Sequence, residues 1–185
     1  MKIGEKLYFA PGITFSDLDL KSGEKLALHY KDRIRGFYIE PAVRSSDAKD
    51  AFAAGLILVS AIDAIAWIKY APRTADRQVG KEFKKFVSAE LASFTDPKIA
   101  ERFYQDFRNG LVHECRIKNG GQFSLDHPDT VKEEDSILSI NPRRLADEVE
   151  AALLNYVKVL MENEAARAGF LQTVKDEFAD ELSGL

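Results

Sequence analysis

The feature that most constrains this fold is an apolar stretch covering residues 51–67. Asp50 and Lys69 bound the stretch, and Ser60 and Asp63 interrupt it. A membrane-spanning helix needs about 20 consecutive apolar residues with few or no charges. Because charged residues lie inside this stretch and at both of its ends, it predicts a helix buried in a protein core. No association with a membrane is expected.

The composition predicts one folded domain. The chain has 185 residues, of which 45% are hydrophobic and 30% are charged, a balance typical of globular proteins and not of disordered chains. Its formal net charge of -4 does not attract polyanions, so any contact with a nucleic acid has to be local. Cys115 is the only cysteine and the N-terminus has no secretory signal, which predicts a cytoplasmic protein.

Helical periodicity over most of the chain predicts an all-α fold, an up-and-down bundle of about five helices. Within the predicted domain of residues 1–185, the segment 1–21 is expected to be an irregular arm or a short extended segment. Residues 22–163 form the predicted helical core, and residues 164–185 a C-terminal helix or tail.

Capping residues and prolines predict where the helices begin and end. Ser22 is suited to cap the first helix, which should end before Pro41. One of residues 45–47 should cap the second helix, which contains the apolar stretch and should end at Pro72. Asp96, or Thr95 before it, should cap the fourth helix. The predicted core positions in the first three helices are Leu26, Tyr30, Ile34, Phe52, Leu56, Val59, Ile62, Ile65, Trp67, Val79, Phe83, Phe86, Val87 and Leu91.

The fourth helix carries the residues with recognisable chemistry. Pro97 should be its first residue, and its core stripe consists of residues at steps of four, namely Ile99, Phe103, Phe107 and Leu111. Arg102, Gln105 and Asp106 are expected to lie away from the core.

The segment after the fourth helix is expected to turn and then form short strands. Asn119-Gly120-Gly121 predicts a turn, and the segments QFSL and SILSI could pair as a β-hairpin across the acidic loop at 126–135. Asn141 and Pro142 should start the fifth helix. Its predicted core positions are Leu145, Val149, Ala152, Leu153, Tyr156, Val157 and Leu160.

Motifs for common cofactors and metals are absent from the sequence. It has no phosphate-binding glycine loop of the Walker or dinucleotide type, and no H-E-x-x-H zinc motif. None of the three histidines has a glutamate three positions earlier, as a di-iron bundle requires. We therefore expect no metal and no cofactor.

The segment FYQDFRNGLVHE at 103–114 places Arg108, Asn109 and His113 within two turns of one predicted helix. Asn109 and His113 are four residues apart and share a face, so the amide could orient the imidazole. Arg108 lies roughly 140° from His113 on an ideal helix. Either the arginine reaches around the helix past Gly110, or it serves a site built with a second copy of the chain. Gly110 suggests a close approach of the backbone, since glycine weakens a helix.

Taken alone, an arginine and a histidine near the end of a helix are better explained by a purely structural role. Cations are favoured at helix C-termini, and histidines are often structural groups. The wider segment, ERFYQDFRNGLVHECRIK followed by a glycine-rich turn, favours a functional role. It resembles the HEPN superfamily, whose mark is Arg-x(4-6)-His with a polar residue commonly following the arginine. Here these residues are Arg108, Asn109 and His113.

The resemblance implies a bundle of four or more helices and a homodimer that brings two copies of the motif to a shared cleft. Active members of the superfamily are metal-independent endoribonucleases, often toxins or defence effectors, in which the histidine and the arginine are the catalytic pair. Other members have lost activity and act as RNA-binding, nucleotide-binding or interaction modules. Besides the second copy of the chain, the resemblance therefore implies one of three kinds of partner, namely RNA, a nucleotide, or another protein such as an antitoxin.

For RNA cleavage, His113 would move the proton of a ribose 2′-hydroxyl, and Arg108 would hold the attacked phosphate. Tyr104, Asp106 and Glu114 are candidate supporting residues, although the two acidic ones are expected to be solvated or in weak surface pairs. The candidate contacts to the RNA backbone, besides Arg108, are Arg102, Arg116 and Lys118.

Overall fold

The computed structural model describes residues 1–70 and 78–183. Helices dominate these residues, as predicted, but two small three-stranded sheets accompany them, so the all-α class is wrong in that respect. The chain, predicted as one domain, divides into two compact units. Residues 1–37 and 153–185 form the first unit, and residues 38–152 form the second.

The first unit combines a small antiparallel sheet with helices from both ends of the chain. The N-terminal arm contains the strands β1 (Lys2–Ile3), β2 (Lys6–Ala10) and β3 (Ile13–Thr14), in the order β1-β2-β3. The helices of this unit include α1 (Gly23–Ile34), α8 (Glu164–Glu177) and α9 (Ala179–Ser183).

Local caps and a cluster of aromatic rings hold the first unit together. The Ser22 side chain accepts a hydrogen bond from the Lys25 amide at 3.3 Å, which confirms the predicted start of α1. Phe9, Phe15 and Phe178 pack with their ring centroids 5.4 to 5.6 Å apart. The aromatic pairs and the burial of Phe9 and Phe15 form the apolar centre of this unit.

The helical backbone does not end before Pro41, and this prediction is wrong. A π-helical segment (Arg35–Ile39) follows α1 directly and leads into α2 (Glu40–Asp47). Pro41 is the second residue of α2, directly after the π-helical segment, whose wider turn changes the hydrogen-bond pattern near the position where proline has no N–H to donate. Because α2 includes residues 45–47, these residues do not cap the next helix. Asp50 does, since its carboxylate accepts from the Ala53 amide at 3.0 Å.

The second unit is built around the apolar helix α3 (Ala51–Tyr70), whose residues Leu58, Ile62 and Ile65 are fully buried. By length and composition alone α3 could cross a membrane, but half of its most apolar window is buried inside the protein. The predicted burial is incomplete, because Phe52 and Leu56 are 48% and 39% exposed. The predicted stop at Pro72 lies outside the described residues.

The second unit also contains the helices α2, α4 (Val79–Glu90), α5 (Pro97–Arg102), α6 (Gly110–Glu114) and the beginning of α7 (Pro142–Glu162). The predicted cap of the fourth helix is confirmed, since the Asp96 carboxylate accepts from the Lys98 amide at 2.8 Å. All seven predicted core positions of the fifth helix, α7, are buried.

The sheet of the second unit differs from the predicted hairpin. β4 (Gly121–Phe123) and β6 (Ile137–Ile140) do pair, but in parallel, while β5 (Val131–Glu134) pairs with β6 antiparallel. The hairpin therefore joins the predicted strand SILSI to a strand, β5, that lies in the segment predicted as an acidic loop. Its turn is made by Asp135 and Ser136, which have φ values of 49° and 68°. Two consecutive residues with positive φ are typical of the tight turns that join antiparallel strands.

Candidate functional site

The predicted fourth helix is three segments with different hydrogen-bond patterns. After α5, residues Phe103–Asn109 are π-helical, and the chain returns to α-helix only for the five residues of α6. Phe103, Phe107 and Leu111 are buried, which confirms that these three residues of the predicted stripe face the core. The π-helical turn is wider than an α-helical one, so angles taken from an ideal α-helix do not apply to Arg108 and Asn109.

Gly110 lies where the chain after α6 folds back onto the motif. A Cβ atom at this position would overlap the backbone carbonyl oxygen of Arg116. The Arg116 amide also donates to the Gly110 carbonyl at 3.2 Å, and the Lys118 amide donates to the Asp106 carbonyl at 2.9 Å. The predicted close approach of the backbone at Gly110 is therefore confirmed. The segment that approaches Gly110 is the chain after α6, at Arg116. This segment fills the space next to Gly110, so the Arg108 side chain does not pass through it.

Arg108 is paired with a residue that the sequence did not associate with it. Its Nε and Nη2 atoms both donate to Oδ2 of Asp63, at 3.1 and 2.7 Å. The Arg108 and Asp63 side chains are 12% and 26% exposed. Because the pair is largely shielded from water, it is stronger than a surface ion pair and holds the guanidinium in one orientation.

Asp63 is thus the site residue that the sequence interpretation missed. In the sequence it is only an interruption of the apolar stretch, 45 positions before Arg108. A carboxylate in the middle of a buried helix needs a partner, because an unpaired charge is costly to bury. That requirement was the available signal, although it does not identify which cation meets it.

Asn109 turns towards the preceding residues of the motif. Its Oδ1 atom accepts from Nη1 of Arg108 at 3.3 Å, and its Nδ2 atom donates to Oε1 of Gln105 at 3.2 Å. Within the described parts of the chain, no hydrogen bond joins Asn109 to His113. The proposed orientation of the imidazole by this amide is not present in the single chain.

His113 lies on the exposed side of α6, one residue before Glu114. Its imidazole makes no hydrogen bond or ion pair with any residue that the structure describes. Val112, next to it, is 52% exposed. The three motif residues are therefore divided, with Arg108 and Asn109 held by neighbours and His113 open to solvent.

Tyr104 packs beside Arg108 on the π-helical segment. Its ring lies 5.6 Å from the ring of Phe83, and its Cζ is 2.6 Å from where a Cβ of Gly80 would be. The Arg108 guanidinium carbon is 6.0 Å from the centre of the Tyr104 ring. Tyr104 thus serves mainly as a packing residue, at the limit of cation–π contact with the arginine.

Asp106 is not solvated, and the expectation that it lies away from the core is wrong. Its side chain is buried, and its two carboxylate oxygens accept from Nε of Arg102 at 3.3 Å and from Nδ2 of Asn119 at 2.8 Å. The turn at Asn119 folds over the π-helical segment and covers Asp106. Because Asp106 accepts from both Arg102 and Asn119, it anchors the turn at Asn119 to the π-helical segment.

The cations predicted to hold an RNA backbone are all paired in the single chain. Arg102 also contacts Glu133, with Nη1 and Oε1 2.5 Å apart. Arg116 donates to Glu114 at 2.8 Å, and Lys118 forms a second ion pair with the same carboxylate. The hydrogen bonds from Lys118 and then Arg116 lower the pKa of Glu114. Glu114 is thus in a surface pair, as expected, and the local positive charge is largely neutralised.

Comparison with known proteins identifies no relative of this chain. No protein-family model matches it, and neither a curated protein nor a solved structure matches it. The assignment of a function therefore depends on the residues and their geometry.

Proposed function

We propose that this protein is a cytoplasmic HEPN-like endoribonuclease that needs no metal. It acts as a homodimer of helical bundles, and its role in the cell is that of a toxin or a defence effector. The observation that carries the proposal is the division of the motif. Arg108 is held in a fixed orientation by Asp63, while His113 is exposed and free to meet a second chain or a substrate.

The hydrogen bonds of Arg108 leave part of its guanidinium available. A guanidinium has five N–H donors, and the bonds to Asp63 and Asn109 use three of them. The two remaining donors are on Nη1 and Nη2, the pair of nitrogens that matches two oxygens of a phosphate. An arginine held at one edge loses little side-chain entropy when it binds an anion at the other, which favours transition-state stabilisation.

In this mechanism the ribose 2′-hydroxyl attacks the adjacent phosphorus while His113 accepts its proton. The bond from phosphorus to the 5′ oxygen breaks, the leaving oxygen takes a proton from water, and the products are a 2′,3′-cyclic phosphate and a 5′-hydroxyl; His113 then returns its proton to solvent. Imidazole is suited to this transfer because its ordinary pKa is near neutral. Arg108 offsets the charge that builds on the phosphate oxygens.

The second candidate is a dimeric module of the same kind that binds RNA, a nucleotide or a protein such as an antitoxin without cleaving RNA. The pairing of the cations favours it. Arg102, Arg108, Arg116 and Lys118 each have an acidic partner in the single chain. An RNA backbone would have to replace several of these carboxylates, which weakens the electrostatic gain of binding.

The test is cleavage of a single-stranded RNA by the purified protein in the presence of EDTA. Wild-type protein should release fragments with 2′,3′-cyclic phosphate ends. His113→Ala and Arg108→Ala should each lower the rate by about 100-fold or more, the usual effect of losing a proton-transfer group or a transition-state donor. Lys98→Ala, which removes an exposed cation from α5, is the matched control and should cleave at the wild-type rate.

Mixing the two inactive variants tests whether the site is shared. If Arg108 of one chain works with His113 of the other, each mixed dimer has one intact site, and about a quarter of the wild-type activity returns after exchange of subunits. Activity that stays absent in the mixture contradicts a shared site. If no form cleaves RNA but the protein is a dimer by light scattering, the non-catalytic module is the better assignment.

A further inference from the structure

A second candidate site lies in the second unit, where the loop at residues 125–128 meets the beginning of α7 and the end of α2. The cavity there has a volume of about 470 Å³. Small-molecule sites in proteins typically measure about 300 to 1,000 Å³. This cavity therefore has room for a small metabolite, and it includes none of the motif residues Arg108, Asn109 and His113.

Hydrogen bonds hold the wall of this cavity in place. Asn141 donates from Nδ2 to the backbone carbonyl of His127 at 2.5 Å, and its Oδ1 accepts from the amides of Arg143 and Arg144. Nε of Arg144 donates to the carbonyl of Pro128 at 3.1 Å. The loop is thus fastened to the first turn of α7 at two points, and the cavity is already formed in the single chain.

The cationic side chains around the cavity retain donors for an anion. Lys49 lines it, and no ion pair joins Lys49 to any residue in the described ranges. Arg143 and Arg144 also line it, and both use Nη1 towards Asp147, at 2.5 and 4.0 Å, which leaves Nη2 of each unused. The cavity is also at the N-terminus of a 21-residue helix, whose dipole favours negative charge.

Two carboxylates share the lining and limit what fits. Asp126 accepts from the hydroxyl of Ser124 at 3.1 Å, and Asp47 is the last residue of α2. Within the described ranges, no group of three or more histidine, cysteine or acidic side chains is arranged to hold a metal ion. The cations and the helix terminus therefore favour an anionic group in the cavity, and the carboxylates favour a ligand that also carries hydroxyl groups.

His127 is the observation that points to a ligand. Both nitrogens of its imidazole are shielded from solvent, and neither has a hydrogen-bond partner among the residues described. A polar group that is buried without a partner costs free energy, and such groups in native proteins call for a specific explanation. His127 is a lining residue of both the large cavity and a neighbouring one of about 260 Å³. Because both ring nitrogens are shielded, a turn of the ring towards one of these spaces would bring a nitrogen to a ligand oxygen and satisfy it.

We propose that this cavity binds a small phosphate monoester with a hydroxylated organic part. Lys49, Arg143 and Arg144 bind the phosphate, His127 donates a hydrogen bond to the ligand, and the carboxylates of Asp47 and Asp126 accept from its hydroxyl groups. The volume exceeds what an inorganic phosphate ion fills, so the organic part adds to the affinity. This site is separate from the proposed RNA-directed site.

Isothermal titration of the full-length protein tests the proposal with three probes, namely ribose 5-phosphate, inorganic phosphate and ribose. Ribose 5-phosphate should bind most tightly, inorganic phosphate at least about tenfold more weakly, and ribose without measurable heat. Lys49→Gln and His127→Ala should each weaken the binding of ribose 5-phosphate about tenfold. Lys158→Ala, an exposed lysine further along α7, should bind like wild type.

Three results would overturn the proposal. One is the absence of binding of ribose 5-phosphate up to about 10 mM. Another is equal affinity of wild type, Lys49→Gln and His127→Ala, with circular dichroism showing that both variants fold. Equal affinity for inorganic phosphate and the ester would also reject the monoester, in favour of a simple anion site. RNA cleavage measured on the same samples should not change, so failure of one proposal is distinguishable from failure of the other.

Discussion

The two ends of the Arg108–His113 motif differ in how the chain holds them. Arg108 is on the π-helical segment, where it is paired with Asp63 and Asn109 and mostly buried. His113 is on the five-residue α6, exposed and without a partner in the described part of the chain. The difference teaches that two residues of one short motif can be held differently, one fixed by its neighbours and the other open to solvent. Substitutions at the two ends should therefore differ in their effect on stability.

Gly110, between the two ends, should give the largest effect on stability. Helix propensity alone predicts that Gly110→Ala stabilises the protein by about 1 kcal/mol. The overlap of the new Cβ with the Arg116 carbonyl should instead lower the free energy of unfolding by about 2 to 3 kcal/mol. Urea denaturation measures the change. A stabilised variant would show that the returning chain does not pack against this position.

Arg108→Ala should have the next largest effect, lowering the free energy of unfolding by about 2 kcal/mol. The substitution leaves Asp63 without its cation in a partly buried position, and partial exposure keeps the cost below that of a fully buried pair. The double variant Asp63→Ala/Arg108→Ala is the control. It should be less destabilised than the sum of the two single variants, because they share one interaction. Additive effects would mean that the ion pair contributes nothing.

His113→Ala should change the free energy of unfolding by less than about 0.5 kcal/mol, since an exposed side chain without partners contributes little to stability. The same urea experiment measures it. A loss comparable to that of Arg108→Ala would break the comparison between the two ends. It would show that the imidazole has a structural partner in solution, for example in a dimer.

Features set by neighbouring residues were predictable from the sequence. Ser22 and Asp96 cap helices as expected, because a cap needs only its own side chain and amides two or three residues away. The buried stripe of α7 followed from helical periodicity in the same way. The prediction at Pro41 was wrong. The π-helical segment before this proline changes the hydrogen-bond pattern where its N–H is missing, so the helical backbone continues.

Contacts between distant residues were not predictable. Val131 to Glu134 form a strand because β6 supplies the hydrogen bonds, although their own composition suggested an acidic loop. Asp106 is buried because the turn at Asn119 folds over it, and its spacing on an ideal helix placed it in solvent. In each case the environment of the residue comes from a segment that the local pattern does not contain.

The sequence by itself determined the helical majority, the starts of α1 and α5, and the presence of an arginine, an asparagine and a histidine on one short segment. Only the tertiary structure decided how each of these three residues is held. The pairing of Arg108 with Asp63 joins positions 45 residues apart, and the free energy of burying a charge makes such a pairing necessary without specifying the partner. The motif therefore indicates the chemistry, and the packing around α3 and the π-helical segment determines that Arg108 is held while His113 is free.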